Sequence, residues 1–78
     1  GTDTNLRMLL VDALNKGIIV QKNGIYMYTD RITLGVTDDS VIIFMKQPQN
    51  QNVVELIKKE TYPEQYISDK DNDTKKIK

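Results

Sequence analysis

The sequence predicts an α+β domain, with an N-terminal helix, a small three-stranded antiparallel sheet, helical structure toward the C-terminus and a polar tail. Three observations carry this. Leu6, Leu9, Leu10, Ala13 and Leu14 recur at spacings of three and four, the period of one helix face. Between Ile18 and Leu34, short β-branched and aromatic runs are cut by Asn23-Gly24 and by Thr29-Asp30-Arg31. From Glu64 onward apolar residues nearly vanish, and the alternating charges of residues 69–73 cannot repay the entropy of ordering.

Each element has a boundary with a mechanism. Asp3, Thr4 or Asn5 can supply the cap oxygen of the first helix, and Gly17 the left-handed residue past its end. Asn23-Gly24 is a favoured type I′ pair, so residues 18–21 and 25–28 should form a hairpin, and residues 32–34 a third strand. Thr37, Asp38 and Asp39 precede the apolar residues 41–45 as a helix start would require, yet the β-branched Val41, Ile42 and Ile43 also suit a buried strand. Periodicity leaves that choice open. Pro48 ends the element in either case. Val53, Val54, Leu56 and Ile57 return to helical spacing, with Asn50 or Asn52 as cap and an end near Tyr62-Pro63. The expected organisation is one domain over residues 1–62 and a disordered tail over residues 63–78.

With 78 residues, the chain buries only about 60% of its unfolded surface. It has no cysteine and no histidine, which removes disulfides, thiol nucleophiles, zinc sites of the His-Cys kind and the usual neutral-pH acid-base group. Neither cofactor nor metal is expected. Ser40 and Ser68 lack a base, no Walker string is present, and Asp38-Asp39 reads as a helix start rather than a paired-carboxylate site. The oxygen-rich residues 69–73 lack the glycine and distal glutamate of a calcium loop. The expectation is therefore a non-enzyme. No segment reaches the roughly 20 apolar residues of a membrane helix, and a cytoplasmic location is expected. A start at Gly1 without methionine suggests a tag remnant or a piece of a longer polypeptide.

Lys22-Asn23-Gly24-Ile25-Tyr26, Tyr28, Arg31-Ile32, Leu34-Gly35, Phe44-Met45-Lys46, Pro48, Glu55 and Lys58-Lys59-Glu60 follow one another in an order that resembles the C-terminal domain of RecA-type bacterial and phage recombinases. The likeness covers roughly residues 10–60. The family usually has Trp where Tyr26 stands and a second glycine where Val36 or Thr37 stands, and its acidic tail is replaced here by a mixed one. The resemblance implies that residues 41–45 are helical, giving two helices after the sheet. It also implies a domain beside the ATPase core of a filament that captures double-stranded DNA, and it matches Lys22 to a duplex-contacting lysine. The family's second such lysine falls near Val36, so the resemblance carries no second lysine over to this chain.

Eleven basic and eleven acidic residues cancel, so any grip on a polyanion must come from a local patch. The candidate nucleic-acid-binding residues are Lys22, Lys16, Arg31 and Lys46, which would have to be gathered onto one face. Taken singly, each is an ordinary surface cation. Tyr26 and Tyr28 alternate onto one strand face and read as core rather than as a base-stacking platform. The competing reading is a protein-interaction module of a phage or bacterial assembly, which exposure of Ile43 or Phe44 would favour.

Overall fold

A computed structural model describes residues 2–65 of the chain; Gly1 and residues 66–78, which carry most of the expected disordered tail, lie outside the described residues. Helix α1 (Thr2–Asn15) is followed by strands β1 (Ile19–Lys22), β2 (Ile25–Tyr28) and β3 (Ile32–Gly35). Helix α2 (Asp38–Lys46), a 3-10 turn over Pro48–Asn50 and helix α3 (Gln51–Thr61) complete an α+β architecture. Residues 63–65 add a further helical turn after Pro63 enters it.

The strands form one antiparallel meander, β1-β2-β3. Lys22 pairs with Ile25 and Ile19 with Tyr28, so the first hairpin closes on two residues. Asn23 and Gly24 both have positive φ, 53° and 78°, as a type I′ turn requires. The third strand joins in a register that slips by one residue between Tyr26 and Met27, so Tyr26 faces Gly35 while Met27 faces Thr33. That irregularity is a bulge, and it places Leu34 inward beside Tyr26 and Tyr28.

Alternation then sorts the sheet. Ile19, Tyr26, Tyr28 and Leu34 are buried, whereas Val20, Lys22, Ile25, Met27 and Thr33 form an outer face that is exposed or half-buried. The buried face meets Leu6, Leu9, Leu10 and Ala13 of α1, Val41, Ile42 and Met45 of α2, and Val54 and Ile57 of α3 in one core. The ambiguous residues 41–45 are thus helical. Thr37 caps the helix in a closed box, accepting from the Ser40 backbone amide while the Ser40 hydroxyl accepts from the Thr37 amide.

Two helix starts differ from expectation. Helix α1 begins at Thr2, so Asp3 sits within its first turn and pairs with Lys46 instead of capping. At α3, Asn50 occupies the cap position but turns its amide back, donating to the Phe44 carbonyl at 2.9 Å. The preceding 3-10 turn makes that possible, because the backbone has already begun to coil at Pro48.

Candidate functional site

The four candidate cations are placed by three different parts of the fold. Lys22 is the last residue of β1, at the lip of the Asn23-Gly24 turn. Val20, on the same strand face, and the paired Ile25 are its outer-face neighbours, and none of the outer-face strand residues is acidic. Arg31 belongs to the turn before β3, where its backbone amide donates to the Thr29 hydroxyl at 3.2 Å. That turn lies at the opposite end of the sheet, about 10 Å from Lys22 at the rise of a strand. Lys22 and Arg31 are exposed, and neither is ion-paired among the described residues.

Lys46 and Lys16 are committed elsewhere. The Lys46 ammonium lies 2.8 Å from Asp3, bridging the end of α2 to the start of α1, and it holds the Asp3 carboxyl below its ordinary range. Lys16 donates to the carbonyl of Thr61, the last residue of α3, and lies 5.9 Å from the centre of the Tyr62 ring. A cation there satisfies an orphan carbonyl and opposes the negative end of the helix dipole. Asp3 and Lys16 are separated by about 20 Å along α1, at 1.5 Å per residue. The four cations therefore do not gather onto one face. Lys22 and Arg31 remain on the sheet, whereas Lys16 and Lys46 bind helices together.

Electrostatics elsewhere serves packing. Arg7 of α1 meets Asp39 of α2 at 2.6 Å, and that contact raises the arginine further above its ordinary range. With the Asp3–Lys46 pair, it links α1 to α2 at two exposed points outside their shared core. Three tyrosine hydroxyls donate to carboxylates: Tyr26 to Asp38, Tyr28 to Glu60 and Tyr62 to Asp12. Each acid makes its phenol harder to ionise. For Tyr62, the hydrogen bond to Asp12 and then burial push the pKa to about 12; for Tyr28, burial leads and Glu60 adds, again to about 12. Tyr26 moves upward for the same reasons as Tyr62.

Two other surfaces stand out. Ile43 on α2 and Val36 just before it are 59% and 62% exposed, and Met8 and Val11 lie outward on α1. A groove of about 810 Å³ runs between the start of α1, the end of α2 and α3, floored by Leu6, Met45 and Val54 and rimmed by Asp3, Lys46 and Lys58. Among the described residues, no group of acids is placed to hold a metal ion, and no helix is long and apolar enough to cross a membrane.

The outward Ile43 was readable in advance as a point of decision, and the burial of Tyr26 and Tyr28 followed from alternation. The role of Lys16 was not readable. Its only sequence signal is its position one residue before Gly17, and its acceptor lies 45 residues away. No protein-family model, curated protein or solved structure matches this chain.

Proposed function

We propose that this chain is an auxiliary, non-catalytic DNA-binding domain of a cytoplasmic recombinase, which captures duplex DNA with the tip of its first hairpin. The observation that carries the reading is Lys22: an exposed ammonium, unpaired among the described residues, at the lip of a tight turn and beside a sheet face without acids. The order of helix, three antiparallel strands and two helices is also the order that the resemblance to RecA-type C-terminal domains implies.

The interface is small. Lys22 leads it, and Arg31 can reach a second phosphate only from the far end of the sheet. Lys46 is already neutralised by Asp3, and Lys16 serves α3. One or two phosphates give a salt slope of roughly −1 to −2 in log K against log salt, and dissociation constants at the weak end of nonspecific binding, about 10⁻⁴ M. The rest of a recombinase filament would supply the remaining affinity.

Fluorescence anisotropy with a duplex at low salt tests this. Lys22→Ala should abolish most of the signal and Lys46→Ala should leave it intact; salt-independent binding, or equal binding by Lys22→Ala, refutes the reading. A second reading, a protein-interaction module, is favoured by the outward Ile43 on α2 and Val36 just before it. If a partner docks there, Ile43→Glu disrupts its binding and leaves duplex binding untouched.

A further inference from the structure

We propose that Asn23 is a site of spontaneous deamidation, at which the Gly24 backbone nitrogen displaces the side-chain amide. The Gly24 nitrogen gives its proton to solvent base and bonds to Asn23 Cγ. The Cγ–Nδ2 bond then breaks, nitrogen leaves as ammonia, and a five-membered succinimide remains. Water adds to either ring carbonyl and one C–N bond opens. The product is aspartate, or isoaspartate where the chain now runs through Cγ. Water and hydroxide are the only reagents.

The structure singles this asparagine out. Attack needs an uncommitted side-chain amide, a neighbouring N–H that is not already donating, and room around that nitrogen. Asn23 and Gly24 are both exposed, neither makes a hydrogen bond to a described residue, and the space where a Gly24 Cβ would sit is empty. The other described asparagines fail one condition each. Asn5 precedes an amide within the α1 ladder, and Asn15 precedes Lys16, whose N–H donates to the Asp12 carbonyl at 3.1 Å. Asn50 has its amide held by Phe44 and Gln47, and Asn52 lies inside α3 before the β-branched Val53.

The turn gates the reaction. Ring closure is set by ψ and χ1 of Asn23, and a type I′ turn holds that ψ at about +30°, so the chemistry proceeds as the tip opens. Strands of four residues make that opening cheap. The products also differ in effect. Aspartate tolerates the left-handed region and keeps the turn, whereas isoaspartate adds a methylene to the backbone and breaks the two-residue closure of Lys22 on Ile25. Both set a carboxylate beside Lys22. A loss of duplex affinity on ageing follows from that and rests on the DNA-binding reading, whereas the modification itself does not.

The full chain, held at physiological temperature in buffers of increasing alkalinity, tests the proposal by peptide mapping and enzymatic isoaspartyl labelling. Asn23 should convert before Asn5, Asn15, Asn50 and Asn52, at a rate that rises with hydroxide. Asn23→Gly, which keeps a residue suited to positive φ, should remove the hairpin label. Earlier conversion at any of those four asparagines, or a hydroxide-independent rate at Asn23, overturns the proposal. Converted protein should bind duplex severalfold more weakly than fresh protein. Undiminished binding by fully converted protein would sink the Lys22 contact and leave the deamidation site standing.

Discussion

Gly35→Ala should be among the most damaging single-methyl additions this fold can receive. Gly35 is not needed for a left-handed backbone; it is needed because β3 runs directly against the start of α2. A Cβ built there would collide with the Ser40 hydroxyl and lie 3.0 Å from the Val41 nitrogen and 3.1 Å from the Ser40 carbonyl carbon. The hydroxyl could rotate away, but it accepts from the Val36 and Thr37 amides at 3.0 and 2.9 Å and donates to the Thr37 carbonyl at 2.9 Å. Losing that cap costs about 1 kcal/mol. The two backbone atoms have no rotamer to retreat into, so β3 or α2 must shift, which adds about 1–3 kcal/mol of overpacking. A total of about 2–4 kcal/mol is a large part of what a domain this small possesses, and corresponds to a fall in Tm of roughly 10–25 °C. Urea and thermal unfolding followed by circular dichroism read it directly. Ser40→Ala in the same background separates the causes: if the hydroxyl is half the problem, the double variant is more stable than additivity allows, by about 1 kcal/mol. A Gly35→Ala protein within about 0.5 kcal/mol of the parent would refute the close-approach argument.

Alkaline stability should track the tyrosines. Tyr28 and Tyr62 ionise at 10.0 when free and only at about 12 when folded, so the unfolded chain releases their protons first. Their contribution is complete below pH 10.0 and is lost as pH rises to about 12, and the Tyr28→Phe/Tyr62→Phe double variant should flatten that decline in urea midpoints. Lys16→Met should cost about 1 kcal/mol by uncapping α3, yet change duplex affinity far less than Lys22→Ala does, when both are compared by urea unfolding and anisotropy. Met45→Ala, at a 1% exposed position where all three helices meet, should cost about 2–5 kcal/mol in the same unfolding assay.

The fold was legible where local chemistry decides it. Leucine spacing set the inner face of α1 and positive-φ-tolerant Asn23-Gly24 set the hairpin, whereas Thr37 with two acids offered α2 a start without deciding it. Residues 41–45 resisted because a short apolar run satisfies both periods; what makes it a helix is the capping box before it and the docking of its inner side on β3, neither of which lies within the run. The bulge between Tyr26 and Met27 had one faint signal, Gly35 at the end of β3, which does not by itself tell the register that the strands adopt.

The candidate site was legible only in part, and the reason is physical. A cation's sequence context says that it will be solvated, but whether its charge is free depends on which acids and carbonyls the fold delivers to it. Lys46 lies 43 positions from Asp3 and Lys16 lies 45 from Thr61, and both are committed by the meeting of helix ends. Lys22 escapes because, among the described residues, the fold delivers no acid to the tip of its two-residue hairpin. In a chain with balanced charge, an unpaired ammonium is the residue most easily spared for an external anion, since binding one breaks no internal contact. Recruiting Lys46 would first require separating it from Asp3, one of the ties between α1 and α2. Duplex binding by this domain should therefore leave its folding stability free of any coupling beyond mass action, and a duplex that loosened the α1–α2 seam would show that the wrong cations had been chosen.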